Sequence, residues 1–237
     1  MSGKMVSINS SDQRKFDGYL AAPKSGKGPG VVIIQEIFGV NDHIREVVDE
    51  YARDGYAALA PDLFWRIEPG VKLAYDAEGM QKGRGIATKL DMNLAVKDIE
   101  STIKSLRAMP ECNGKVAVIG YCFGGLIAYL TAARTDVSAA SCYYGGRIDA
   151  FLGEAGSVKC PIQFHFGAED HAIPAEVWDK VRSAFAGRKD AEVYVYEGAQ
   201  HGFNCTKRPS FHPEASKLAR SRTMELLHRT IGAPSQA

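Results

Sequence analysis

Short apolar runs alternate with amphipathic stretches along most of the chain. Residues 5–9 and 16–23 alternate apolar and polar positions, which predicts a leading hairpin at the edge of a sheet. Residues 31–34 (VVII) are continuously apolar, as a parallel strand covered on both faces must be. Asn41 or Asp42 can cap a helix running to about residue 54, with Ile44, Val47, Val48 and Tyr51 at helical spacing and Gly55 closing it. Residues 56–60 predict the next strand, stopped by Pro61-Asp62. Residues 64–86 carry Pro69, Gly70, Gly79, Gly83 and Gly85 and read as an excursion with a short helix, on the face where a ligand would enter. Met92, Ala95, Val96, Ile99, Ile103 and Leu106 form the apolar stripe of a long helix over 90–109, a packing stripe rather than a cofactor box. Further strands are expected at 116–119, 137–144, 161–166 and 193–196, and further helices at 126–134, 175–185 and 213–231.

From residue 30 onward strands therefore alternate with helices. That order predicts an α/β protein with a mostly parallel central sheet and helices on both faces. At 237 residues a single domain over 1–237 accommodates all of it, with no repeat, low-complexity tract or linker.

Composition removes several functions. Lys and Arg total 29 against 28 Asp and Glu, so no basic footprint for nucleic acid or an anionic membrane is present. No run approaches the ~18 apolar residues of a spanning helix, and the first residues lack a signal-peptide core. The five cysteines are an odd number without regular spacing, which predicts reduced thiols and a cytoplasmic location. C-x-x-C and H-E-x-x-H are both missing, so neither a metal nor a cofactor is expected.

The candidate chemistry begins at residues 115–125, KVAVIGYCFGG. An apolar run meets a G-x-C-x-G turn and a helix-like segment follows at once, the pattern of a nucleophile elbow with Cys in place of Ser. Such a turn holds its central side chain, Cys122, at the C-terminal end of a strand, where open α/β sheets bind ligands. The competing reading is a buried structural thiol. A phosphate loop is disfavoured, because neither G-K-[ST] nor G-x-G-x-x-G is present.

Asp170 and His201 also lie just past predicted strands, in a Gly-x-x-Asp loop and in Gly-x-x-His-Gly. Parallel strands bring those ends to one sheet edge, and the order nucleophile, acid, histidine is that of α/β hydrolases. His201 can take the Cys122 proton and return it to a leaving group, with Asp170 fixing the ring. The remaining histidines read otherwise: His165 as a sheet residue, His43, His212 and His228 as surface, and His171 as too close to Asp170. Cys142 and Cys160 read as packing, and Asp62 as a turn residue. An oxyanion hole is expected from the backbone N–H groups of Phe123 and Ile37. That places Glu36 beside the thiol, either as an ion-paired structural carboxylate or as a control on Cys122 protonation.

These blocks resemble the dienelactone hydrolases (carboxymethylenebutenolidases). Residues 35–41 (QEIFGVN), 55–58 (GYAA), 61–63 (PDL), 113–116 (NGKV), 120–125 (GYCFGG), 143–145 (YYG) and 198–203 (GAQHGF) carry the resemblance over nearly the whole chain. It implies the α/β-hydrolase fold, a Cys122–Asp170–His201 triad, and Glu36 as the residue that deprotonates the thiol when substrate binds. It also implies a thiol turned inward at rest. The family's well-known members carry a carboxylate-binding arginine four residues after the histidine, where this chain has Cys205. Lys82 and Arg84 in the excursion, with Tyr144, are the candidate substrate-binding residues, while Lys207, Arg208 and Arg147 read as solvated surface.

The expected reaction is hydrolysis of activated esters or enol lactones through an acyl-cysteine. A thiolate is itself a good leaving group, so amides and simple alkyl esters expel it and revert. Alternatives are a broad carboxylesterase or thioesterase on the same residues, or a non-catalytic redox thiol. The expected partner is a small-molecule substrate, with no nucleic acid, no membrane, and a monomer or weak homo-oligomer.

Overall fold

A computed structural model describes residues 3–234, so the first two and last three residues of the expected 1–237 domain lie outside it. Eight strands form one sheet: β1 (Lys4–Asn9), β2 (Lys15–Ala21), β3 (Gly28–Ile34), β4 (Ala57–Pro61), β5 (Cys112–Tyr121), β6 (Ala140–Tyr143), β7 (Ile162–Gly167) and β8 (Ala191–Tyr196). Their spatial order is β1-β2-β4-β3-β5-β6-β7-β8. The β1–β2 hairpin joins β4 antiparallel, and β4 through β8 run parallel. This is the mostly parallel sheet expected from the alternation of elements, in the α/β-hydrolase fold that the resemblance implied.

The central strands are apolar because both faces are covered: Val31, Val32, Ile33, Ile34 and Val116 to Ile119 are all fully buried. Helices α1 (Asp42–Arg53) and α6 (Pro213–Ile231) share one face, tied by Arg220 to Asp54. On the other lie α3 (Met92–Ala108), α4 (Phe123–Arg134), α5 (Ala175–Ala184) and a 3-10 stretch, Ile148–Ser157. That 3-10 stretch was not expected. Its sequence, IDAFLGEAGS, places Ile148, Phe151, Leu152 and Ala155 at helical spacing, a signal that sequence reasoning overlooked because the run is short and carries two glycines.

Local signals explain the element ends. Asn41 caps α1 by accepting from the Ile44 N–H at 3.2 Å, and Asp91 caps α3 from the Asn93 N–H at 2.7 Å. Helix α2 (Ala77–Ala87) sits inside the excursion, capped by Asp76. The excursion is stitched back onto the loop after β3. Leu73 N–H donates to Phe38 O at 2.9 Å, Asn41 Nδ2 donates to Leu73 O at 3.3 Å, and Gly39 bridges Lys72. Tyr75 is thereby carried over Glu36. Among the described residues no helix is long and apolar enough to cross a membrane.

Candidate active site

Strand β5 ends at Tyr121 and α4 starts at Phe123, leaving Cys122 alone in the turn at φ 56°, ψ −117°. A non-glycine residue at positive φ is uncommon and persists where its surroundings over-determine it. Here the Cys122 N–H donates to Tyr143 O on β6 at 3.0 Å. The flanking glycines permit the sharp approach: a Cβ on Gly120 would lie 1.9 Å from Gly124 O, and one on Gly124 would lie 2.3 Å from Ile34 O. The second contact also shows that α4 begins directly against the end of β3, where Glu36 and Ile37 follow.

Asp170, past β7, and His201, past β8, meet Cys122 there. His201 Nδ1 lies 2.7 Å from Asp170 Oδ2, and His201 Nε2 lies 3.1 Å from Cys122 Sγ. The Asp170 side chain is fully buried and its Oδ1 accepts from the Ala172 N–H at 2.9 Å, which fixes the carboxylate plane. Burial alone would lower the His201 pKa. The Cys122 sulfur and the Asp170 carboxylate outweigh it and push the value up to about 10.

Glu36 is fully buried, and its oxygens are engaged elsewhere. Tyr75 Oη donates to Oε2 at 2.6 Å, and Arg208 Nη1 stands 3.5 Å from Oε1. The resemblance implied a thiol turned inward at rest; the structure instead turns Sγ toward His201, while Tyr75 and Arg208 hold Glu36. Arg208 also departs from its expected solvated role, since its side chain is only 15% exposed and lies across Gly202, Phe38 and Tyr75. Lys207 and Arg147 are at the surface, Lys207 in a pair with Glu46.

Ile37 N–H meets no acceptor among the described residues, and Phe123 N–H is a leading donor of α4. Tyr144, at φ 37°, is fully buried with its hydroxyl unpartnered, and its ring packs edge-on to His201 at 5.2 Å. Burial, then Glu36, Cys205 and Cys122, hold its phenol well above the ordinary range. Lys82 and Arg84 are not gathered into this group. Both are exposed, and Lys82 pairs with Glu68 at 2.6 Å. Gly83 between them is the inward residue, where a Cβ would lie 2.4 Å from Ile37 O, so the helical step turns its neighbours outward.

His43 was expected at the surface and is 3% exposed, with Nε2 unpartnered; burial holds it below its ordinary pKa. Cys205, in the position of the missing arginine, is fully buried beside Tyr75, and burial pushes its thiol up to about 11. His165 is a sheet residue as expected, bound to Tyr196 Oη and Ser141 Oγ at 2.8 and 3.1 Å. Asp62 serves its turn, accepting from the Phe64 and Gly70 N–H groups. Sequence reasoning overlooked Tyr75, whose role depends on how the excursion folds back; its only signal was an aromatic residue in a polar, irregular stretch.

Known proteins are similar to this chain over most of its length. Residues 16–231 match the model of the dienelactone hydrolase family. A carboxymethylenebutenolidase of Pseudomonas sp. (strain P51) is 37% identical over 226 residues, covering 94% of each chain. Another, from Pseudomonas putida, is 36% identical over 223 residues with the same coverage. Among solved structures, a dienelactone hydrolase candidate from Klebsiella pneumoniae superposes with a TM-score of 0.84 at 27% identity, covering 96% of this chain and 98% of that one. The chain belongs to the dienelactone hydrolase family.

Proposed function

We propose that the protein hydrolyses enol lactones and other activated esters through an acyl-cysteine formed on Cys122. The observation that carries this is the position of His201, which bridges Cys122 Sγ at 3.1 Å and Asp170 at 2.7 Å. The raised His201 pKa holds the ring as an imidazolium through neutral pH, poised to protonate the leaving group. The thiolate attacks the acyl carbon, and the carbonyl oxygen takes the negative charge against the Ile37 and Phe123 N–H groups. As the tetrahedral species collapses, His201 gives its proton to the departing enolate or phenolate oxygen. Water then attacks the acyl-cysteine, with neutral His201 as base, and the carboxylic acid leaves as the thiolate is restored. Tyr144, whose ring packs against His201 and whose hydroxyl is unpartnered, is the proposed contact for the substrate.

Glu36 and Arg208 set the substrate preference in this reading. A substrate carboxylate competes with Glu36 for Arg208, and Glu36 once released is free to take a proton from the thiol. Arg208 would thus replace the arginine that Cys205 displaced. The decisive measurement compares kcat/KM on a dienelactone and on neutral p-nitrophenyl acetate, for the native protein and Arg208→Gln. Loss of at least about tenfold on the lactone alone is expected. Equal activity on both substrates in both proteins assigns a broad carboxylesterase instead, and absence of any turnover overturns the reading.

A further inference from the structure

Beside the Cys122 group, three other elements bring a carboxylate, an imidazole and a thiol together. Glu36 comes from the loop after β3, His43 from the first turn of α1, and Cys205 from the loop after His201. One ligand atom of each lies within 4.8 Å of the others, and all three residues are buried. His43 Nε2 has no hydrogen-bond partner, and a buried polar atom left unpaired is unfavourable unless something fills its place. Nothing in the hydrolytic reading uses His43 or Cys205.

We propose that Glu36, His43 and Cys205 form a binding site for a borderline divalent transition ion, with Zn2+ the best match. The donor set is oxygen, nitrogen and sulfur, which Zn2+ accepts at bonds of about 2.0–2.3 Å. A tetrahedron of such bonds has edges of roughly 3.3–3.8 Å, so side-chain shifts of roughly an ångström close the site. Three protein ligands leave a fourth position open. When the sulfur–metal bond forms, the Cys205 thiol proton leaves to solvent. Thiolate and carboxylate then balance the 2+ charge. Glu36 has two oxygens, so one can turn to the ion while the other keeps Tyr75. The site is approached from the His43 side, where His43 and Tyr75 line a cavity of about 720 Å³ with Glu46 and Lys207. An ion held there fixes Glu36 away from Cys122 and turns hydrolysis down, a consequence that rests on the proposed role of Glu36.

Cobalt serves as the spectroscopic probe. Titrating Co2+ into the purified protein should give a near-ultraviolet sulfur-to-cobalt band at one equivalent, displaced by Zn2+. Cys122→Ser should keep the band, whereas Cys205→Ser and His43→Gln should lose it. A band that survives Cys205→Ser or vanishes with Cys122→Ser places the ion on the Cys122–His201 group and overturns the proposal, as does no band at all. Zn2+ should also lower native turnover of a dienelactone at least tenfold and that of Cys205→Ser less than twofold; equal inhibition of the two overturns the regulatory consequence. A native protein without any turnover would sink the hydrolytic reading, and the cobalt band would still decide the site.

Discussion

Cys122 sits at φ 56° with its sulfur 3.1 Å from His201, so backbone strain and a specific partner occur in the same residue. Replacing the sulfur tests whether that geometry is chemical: Cys122→Ser should lower kcat/KM on p-nitrophenyl acetate by about 10³-fold with little change in thermal unfolding. The pH profile follows from His201. Its folded pKa of about 10 lies above the ordinary value of 6.5, so the imidazolium persists through neutral pH and is lost as pH rises through about 10. Leaving-group protonation, and with it kcat/KM, should therefore hold through neutrality and fall on an alkaline limb near pH 10. Asp170→Asn removes one of the charges that raise this pKa, so the limb should move to lower pH; an unmoved limb would mean that Asp170 does not act on His201. The same sign governs stability. The stabilisation carried by protonated His201 is complete below about pH 6.5 and is lost by pH 10.

At the scale of elements, α2 and α3 hold the site from behind. Gly83→Ala should lower overall stability, because the new Cβ would lie 2.4 Å from the Ile37 carbonyl oxygen and the backbone must shift, which the gain of about 1 kcal/mol in helix propensity does not offset. The displaced oxyanion loop should lower kcat by about tenfold, and an unchanged kcat would free Ile37 from its assigned part. Helix α3 is anchored by Asp98, 1% exposed, which accepts from Trp65 Nε1 at 2.8 Å and from Arg66 at 2.7 Å. Asp98→Ala strands both donors in a buried place and should cost about 3 kcal/mol in urea unfolding, against under 1 for the exposed Lys104–Glu100 pair. These elements also show what the sequence could and could not reveal. Strands β3 to β8 were legible because their apolar runs are short and end at glycine, proline or a polar residue such as Gln35 or Glu197. Cys122, Asp170 and His201 were legible because each lies within a few residues of the C-terminal end of such a strand. Tyr75, Arg208 and His43 were not, since their burial depends on an excursion whose return path is fixed by long-range contacts such as Leu73 to Phe38. Periodicity carries no information about such contacts.

The whole molecule is one sheet wrapped on both faces, and its surface has little left to bury. Among the described residues the exposed large hydrophobics are Met5 and Leu218, on β1 and α6, too few for an apolar docking patch. Light scattering at micromolar concentration should give a monomer near the 25.7 kDa chain mass, and a stable dimer would point to a polar interface. The same wrapping sorts the five free thiols: Cys112, Cys142, Cys160 and Cys205 are buried, and Cys122 alone is partly open. The folded protein should thus take up one equivalent of a small alkylating probe, and the denatured chain five. Labelling stoichiometry then counts the fraction of competent molecules in any preparation, before a substrate has been found for it.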